Sequence, residues 1–489
     1  MPNYSYRPVD SPGYRQRSSL YQKPRRRSPR LFIALGLVLV ILVTGGIVVG
    51  RTFSFLQQAV NFGNPLSEAQ RSVAPPAGSL PWKLSQGQQV NVLLLGYGGS
   101  ENDAPWLTDS IMVLSIDPAN HRALETSIPR DLSVQIDAWP NRQPQVQKIN
   151  AAYAVGMDNG TYPGKRAEFA TTKDRGGKLA EQTVSSITGV HFDGYVAVDF
   201  KAFRDLVDAL GGVQVCLDGP LDDNQYPDSH NGYIKGGIHF KAGCQQVNGV
   251  QALQLARSRH ATEADQASDF GRARRQQLLL NAIRKKATSA NAIAKAPALM
   301  DALQNDFSTN LGLADLKAVY DWAGKLPDGS IGRAAITNTN FADDYYLRRG
   351  SCGDYYSYTL CAVDPSYHML KTYFANLFVD PKALKEAAPV QIVNSSRTLE
   401  DMGDRVWQTL GPLGLKTVQP VRGKITETST IYDYSGGKHP QTAKWLAHYF
   451  GASVVQVPAG TTAPTPSPPD GGFSVVLGRD YALRWIGQS

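Results

Sequence analysis

Residues 194–215, GYVAVDFKAFRDLVDALGGVQV, hold three elements in a short length of chain. Gly194–Asp199 is an apolar run of strand length. Phe200 to Leu210 then places Phe200, Phe203, Leu206, Val207 and Leu210 on one face of a helix. Gly211 and Gly212 stop that helix, because glycine tolerates the left-handed backbone of a helix end. Val213 to Leu217 resumes as a strand. A strand, an amphipathic helix and a second strand in succession predict an α/β fold.

The same alternation extends outward. Val90 to Leu95, Ser110 to Ile116 and Ala123 to Ile128 are apolar runs suited to strands covered on both faces. Leu179 to Thr188 has helical character and ends at Gly189. Gly249 to Ser258 and Arg272 to Thr288 are further helices, and residues 290–385 are expected to be mostly helical with loops. The expected architecture for residues 90–385 is a three-layer α/β/α sandwich with a mixed central sheet. A break falls at Ala387-Ala388-Pro389. Residues 389–485 restart as a small α/β unit, with strands at 390–394, 431–434, 453–457 and 473–477 and helices at 399–410 and 439–450. Residues 51–89, polar and Pro/Gly-containing from 64 onward, read as a linker. No internal repeat is evident.

Ahead of the linker, Leu31 to Gly50 is a run of 20 residues without a charge. As a helix it would cover about 30 Å, the thickness of a bilayer core. A cleavable leader would have a shorter apolar region, of about 7–15 residues, followed by a small-residue cleavage site, which Gly50-Arg51-Thr52 does not offer. Residues 1–30 carry eight basic side chains against one acid, Asp10. The positive-inside rule therefore places this tail in the cytoplasm and the bulk of the chain outside the cell membrane. Of the net charge of +8, the tail supplies seven and Arg51 one, so residues 52–489 balance. The basic character belongs to a tail beside a membrane helix, where it suits anionic lipid and gives no argument for nucleic acid.

All four cysteines, Cys216, Cys244, Cys352 and Cys361, follow the apolar run and so fall in an oxidising compartment. Three pairings are possible. Proximity favours Cys352–Cys361, which leaves Cys216–Cys244. No CxxC spacing suggests a metal site.

No G-x-S-x-G, H-E-x-x-H or P-loop pattern occurs. The chemistry-bearing pattern is arginine at loops and helix starts, with aspartate after strands. Arg130-Asp131 follows Pro129 at a strand end. Arg257 and Arg259 sit at a helix end. Arg272, Arg274, Arg275 and Gln276 follow Asp269-Phe270-Gly271, and Asp103 and Asp109 lie after the first strand. An arginine fork binds phosphate oxygens in pairs, and several together match a pyrophosphate. Aspartates positioned near phosphates suit Mg²⁺. For one arginine alone, a surface ion pair is the ordinary explanation; clustering with loop aspartates favours a phosphate site.

The segments NVLLLG (91–96), LTDSIMVLSIDP (107–118), SIPRDL (127–132), KINAAYAVG (148–156), the stretch at 194–215, NGVQALQLARSRH (248–260) and DFGRARRQQ (269–277) resemble LytR-CpsA-Psr proteins, in that family's order and spacing. The resemblance runs from about Val90 to Lys286, and residues 389–480 resemble the small LytR C-terminal domain. It implies a phosphotransferase on the outer face of the cytoplasmic membrane. Such an enzyme moves a glycopolymer from a polyprenyl-pyrophosphate carrier to peptidoglycan, usually at a muramic acid 6-hydroxyl. The polyprenyl chain would occupy an apolar tunnel, arginines would grip the pyrophosphate, and aspartates would hold Mg²⁺ or Mn²⁺. By motif, Asp109 matches a metal-linked aspartate. Arg130 with Asp131, Arg257, Arg259, Asp269, Arg272 and Gln276 match site positions, and Arg275 sits beside them.

Two departures stand out. Family members commonly read G-x-D after the first strand, where this chain has Gly96-Tyr97-Gly98; Asp103 in the same loop is the expected substitute as metal ligand. Leu107 stands where an arginine commonly precedes T-D-[ST]. Asp131 and His260 are the two groups considered for taking the acceptor's proton, with Asp131 preferred. The helical stripe from Phe200 to Leu210 is expected to pack on the sheet for the most part, with some of it lining the lipid tunnel. The missing G-x-D aspartate leaves one alternative to an enzyme, a non-catalytic scaffold binding polyprenyl lipid or wall polymer. A transcriptional role is disfavoured, since the folded mass faces away from DNA and the tail has no helix-turn-helix pattern.

Overall fold

The computed structural model describes residues 75–100, 104–228, 232–258, 260–263, 266, 274–276, 278–279, 282–283, 286, 307–327, 330–344, 352, 359–458, 465–468 and 471–488. The expected tail and membrane helix, residues 1–50, lie outside them. No helix among the described residues is long and apolar enough to cross a membrane.

A six-stranded mixed sheet forms the centre. Its strands are β1 (Val90–Tyr97), β2 (Thr108–Asp117), β3 (Arg122–Ile128), β4 (Gly194–Asp199), β5 (Phe307–Thr309) and β6 (Ile331–Ala335), in the spatial order β5-β4-β1-β2-β3-β6. β1 runs parallel to β4 and antiparallel to β2, and β3 runs parallel to β6. Successive side chains of a strand point to opposite faces. Leu93, Leu95, Ile111, Val113, Tyr195 and Ala197 accordingly share one apolar cluster, and Val92, Leu94, Leu114, Ile116, Val196 and Val198 share another.

Helices cover both faces. The first face packs against α2 (Ala151–Met157), α3 (Arg175–Thr188) and α7 (His368–Ala375). The second packs against α1 (Leu80–Ser85), α4 (Phe200–Ala209) and α6 (Leu313–Ala323). α3 ends where expected, with Gly189 in the left-handed region at φ 72°. Outside α4 lies α5 (Gly249–Arg257), capped by a reciprocal Asn248–Gln251 box. It joins the strands Val213–Leu217 and Gly243–Val247 in a third apolar cluster. Those two strands pair Cys216 opposite Cys244, which are disulfide-bonded; Cys352 is bonded to Cys361. Cys352–Cys361 is the pairing that proximity favours, and Cys216–Cys244 is the one it leaves.

Residues 389–485 form their own five-stranded sheet. Its strands are β7 (Pro389–Asn394), β8 (Lys416–Arg422), β9 (Thr430–Asp433), β10 (Ser453–Gln456) and β11 (Phe473–Leu477), in the order β8-β7-β11-β9-β10. The helices α8 (Met402–Leu410), α9 (Pro440–Phe450) and α10 (Arg479–Trp485) accompany it.

Three expectations are corrected. The linker at 64–89 is not structureless throughout. Ser79 caps α1, Leu80 is buried on the sheet, and Lys83 pairs with Asp193 at 2.5 Å. A helix of six residues is too short to show a period. Residues 290–385 are not mostly helical where described, because β5 and β6 are the two edge strands of the central sheet. Edge strands of three and five residues leave little pattern. The break at 387–389 separates two sheets but not two cores. One continuous apolar cluster runs from Leu93 of β1 to Trp485 of α10.

Candidate active site

A cavity of about 280 Å³ opens between the second face of the sheet, α4, α5 and the helical positions 276 and 279. Its interior is apolar, lined by Leu94, Met112, Val196, Val198, Phe203, Leu253 and Leu279. Its rim is polar, formed by Asp109, Arg130, Asp199, Arg257, His260 and Gln276. The sheet supplies the arrangement. Apolar residues of β1, β2 and β4 point down into the core, while the ends of β2, β3 and β4 deliver Asp109, Arg130 and Asp199 to one edge.

Arg130 is held at the rim by two carboxylates. Its Nη1 donates to Asp109, and its Nε donates to Asp131 Oδ2 at 3.3 Å. Burial opposes the charge on Arg130, but Asp109 and Asp131 outweigh it and hold the guanidinium above its ordinary pKa. The other oxygen of Asp131 accepts from Lys148 Nζ at 2.9 Å. Asp131 therefore works behind Arg130 and is absent from the cavity lining.

Arg257 ends α5. Its guanidinium lies 4.5 Å from the ring centroid of Phe200 and 5.8 Å from that of Tyr226, so aromatic faces orient the charge. Gln276 Nε2 donates to the Ala256 carbonyl at 3.1 Å, tying the neighbouring helical turn to α5. Asp223, fully buried, accepts from Ser258 Oγ at 2.7 Å and from the His260 backbone N–H at 3.2 Å. It fixes the turn that brings His260 to the rim.

Arg275 has a different fate from its neighbours. It is 1% exposed, and its guanidinium donates to the carbonyls of Leu255 (2.9 Å), Gln266 (2.6 Å) and Ser258 and to Gln266 Oε1 (3.1 Å). It binds the wall of the cavity together and does not line it, so the expected pyrophosphate contact is corrected for this residue. The stripe on α4 does not pack mainly on the central sheet, because α4 is sandwiched between that sheet and the outer cluster around α5. Phe200 and Phe203 line the cavity, whereas Leu206, Val207 and Leu210 pack in the outer core. Arg259, Asp269, Arg272 and Asp103 lie outside the described residues.

One rim residue and one residue behind the rim escape motif reading. Asp199 accepts from the Ala202 backbone N–H at 2.7 Å as the N-cap of α4, and its strand-to-helix junction is the signal that could have found it. Lys148, within the KINAAYAVG segment, enters through its pair with Asp131. Of the two groups considered for the acceptor's proton, His260 lines the cavity and Asp131 does not.

Comparison with known proteins gives the lineage. A model of the LytR_cpsA_psr family matches residues 52–351. The chain belongs to the LytR_cpsA_psr family. Among curated members it is 28% identical over 282 residues to the polyisoprenyl-teichoic acid–peptidoglycan teichoic acid transferase TagU of Bacillus mycoides, covering 58% of this chain and 79% of that one. It is 30% identical over 240 residues to the corresponding transferase TagV of Bacillus subtilis, covering 49% of this chain and 53% of that one. The crystal structure of B. subtilis TagV aligns with 59% of this chain and 96% of its own, at 25% identity and a TM-score of 0.41. The family match covers the central sheet, the cavity and its rim, and stops before the C-terminal α/β unit.

Proposed function

We propose that this chain is a phosphotransferase that moves a glycopolymer from a polyprenyl-pyrophosphate carrier to peptidoglycan on the outer face of the cytoplasmic membrane. The observation that carries this reading is a cavity with an apolar interior beneath a rim of Arg130, Arg257, Gln276 and Asp109. A lipid pyrophosphate has the same two halves, a hydrocarbon chain and a compact polyanion. The printed names of TagU and TagV support it, each pairing a polyisoprenyl-linked donor with a peptidoglycan acceptor.

In this mechanism the forks of Arg130 and Arg257 hold the pyrophosphate oxygens, and Gln276 donates beside them. Asp109 and Asp131 keep Arg130 in place before substrate arrives, so no reorganisation is needed during reaction. The acceptor hydroxyl oxygen bonds to the phosphorus that carries the glycan, and its proton passes to His260. The bridging P–O bond breaks, and polyprenyl phosphate leaves with the electron pair. Fixed positive charge at the rim stabilises the negative charge that develops on the leaving phosphate.

Mg²⁺ (or Mn²⁺) fits the donor chemistry of the rim. Asp109 and Asp199 offer hard oxygen ligands, and Mg²⁺ takes one or two carboxylates together with phosphate oxygens and water. Among the described residues no group of three His, Cys, Asp or Glu side chains stands ready to hold a metal. Asp109 is the proposed ligand, with Asp103 as the second expected from sequence. When bound, the ion would neutralise part of the pyrophosphate charge.

The test is transfer of a polyprenyl-pyrophosphate-linked glycan to peptidoglycan oligomers by the purified full-length protein. Product is expected, with the Arg257→Ala rate lower by on the order of 10²-fold. Equal product from the Arg130→Ala, Arg257→Ala double variant would sink the enzyme reading. Lipid binding without transfer, insensitive to chelation, would leave the scaffold.

A further inference from the structure

We propose that the C-terminal α/β unit sets the position of the Arg130–Asp131 turn, with Arg405 as the positioning residue. The family match ends at residue 351, so nothing in it assigns a role to this unit. Arg405 lies on α8 and is 4% exposed. Its guanidinium reaches out of its own unit, where Nη1 donates to the carbonyls of Asn340 at 2.7 Å and Ala342 at 3.1 Å and Nη2 pairs with the Asp343 carboxylate. Nε donates to Asp401 Oδ2 at 2.8 Å. Residues 340–343 are thus gripped by a charge from a helix of the C-terminal unit.

The grip leads to the site in three steps. Ala342–Asp344 pairs antiparallel with Leu360–Ala362. The Leu360 N–H donates to the Asp131 carbonyl at 3.0 Å, and Leu360 bridges Leu132. Asp131 in turn holds Arg130 and Lys148. The opposite side of the turn is tied to residues 149–150, by Ile149 N–H to the Leu132 carbonyl at 2.8 Å and Asn150 N–H to the Arg130 carbonyl at 3.3 Å. The turn is therefore held from both sides, and the C-terminal unit stands behind one of them.

A second route is apolar. Trp485 of α10 is 1% exposed and stacks on Phe341 with centroids 5.4 Å apart and planes 7° apart. Leu132, two residues after Arg130, faces Phe341 and Trp485 across a gap of about 10 Å³. That space admits at most one water, so Leu132 is packed closely against this junction. A buried ion pair such as Arg405–Asp343 adds little net stability once desolvation is counted, but its directional bonds can specify one geometry. Such a contact suits a brace.

The test uses the full-length protein and amide hydrogen exchange at Leu360, whose N–H reports on the Asp131 contact. Arg405→Gln is expected to speed that exchange more than tenfold while the protein stays folded by circular dichroism. Arg405→Lys, which keeps the charge, should restore part of the protection, and Trp485→Phe should loosen the same amide through the apolar route. Because the kinetic arm rests on the transferase reading, it is scored separately. kcat should fall on the order of tenfold, with KM for the lipid donor little changed, since Arg257 and Gln276 are untouched. Folded Arg405→Gln and Trp485→Phe variants with wild-type exchange at Leu360 would overturn the brace. A wild-type protein that transfers nothing would overturn the transferase reading and leave the exchange result to decide the brace.

Discussion

Arg257 lays its charge over the ring of Phe200 at the cavity rim, whereas Arg275 spends its donors on the carbonyls of Leu255, Ser258 and Gln266. Substituting Arg275→Met keeps the stem and orphans those carbonyls. It should lower unfolding free energy by about 2–4 kcal/mol, read from urea midpoints. The same stretch shows the limit of reading residue types. DFGRARRQQ places several polar side chains together, but the sequence cannot say which one a helix turns inward. Glu181 shows a property that no motif carries. Burial raises its pKa from 4.5 to about 7, opposed by a hydrogen bond from Asn310. The folded value lies above the unfolded one, so its contribution is fully present below pH 4.5 and is lost as pH rises through about 7. Melting temperatures of wild type relative to Glu181→Gln, measured from pH 4 to pH 8, should therefore decline as pH rises; a flat difference would contradict the burial.

At the scale of elements, long periodic segments are legible and short ones are not. β1, β2, β3, β4, α3, α4 and α5 each bury a face that the sequence already marks. α1, β5 and β6 hold six, three and five residues, too few for a period to emerge, and they are recruited by the apolar surface waiting for them. Close packing of helix on strand also leaves a testable mark. Gly177 sits within α3, where alanine would ordinarily favour the helix. A Cβ there would fall 2.1 Å from Cζ of Tyr195, whose ring is fully buried on β4. Gly177→Ala should thus destabilise the protein by about 1–3 kcal/mol instead of stabilising it. A thermal melt at or above wild type would show that α3 does not sit so close.

At the scale of the whole molecule, the C-terminal unit is a second sheet but part of the same core. Phe341, Tyr373, Tyr481 and Trp485 interlock across the junction. Calorimetry should accordingly show one transition for the two sheets together, with calorimetric and van't Hoff enthalpies equal. A separate early transition that spares the central sheet would argue for an independent module. The proposed donor explains why such an enzyme would carry an anchor. Withdrawing a polyprenyl chain into water costs about 0.8 kcal/mol per CH₂, so its transferase must work at the membrane surface.

The sequence by itself determined the α/β class, the central strands, the restart at 389 and the family's ordered segments, because burial periodicity and turn chemistry are local. It also singled out Asp109, Arg130, Arg257 and Gln276, which the structure brings to one rim. Only the tertiary structure decided that Arg275 faces inward and that His260 reaches the cavity while Asp131 stands behind Arg130. It alone decided that Asp199 joins the rim and that Arg405, on a helix of the C-terminal unit, reaches residues 340–343. Those outcomes depend on which faces meet across hundreds of residues of chain, and side-chain direction at such contacts is set by packing, not by neighbours in sequence.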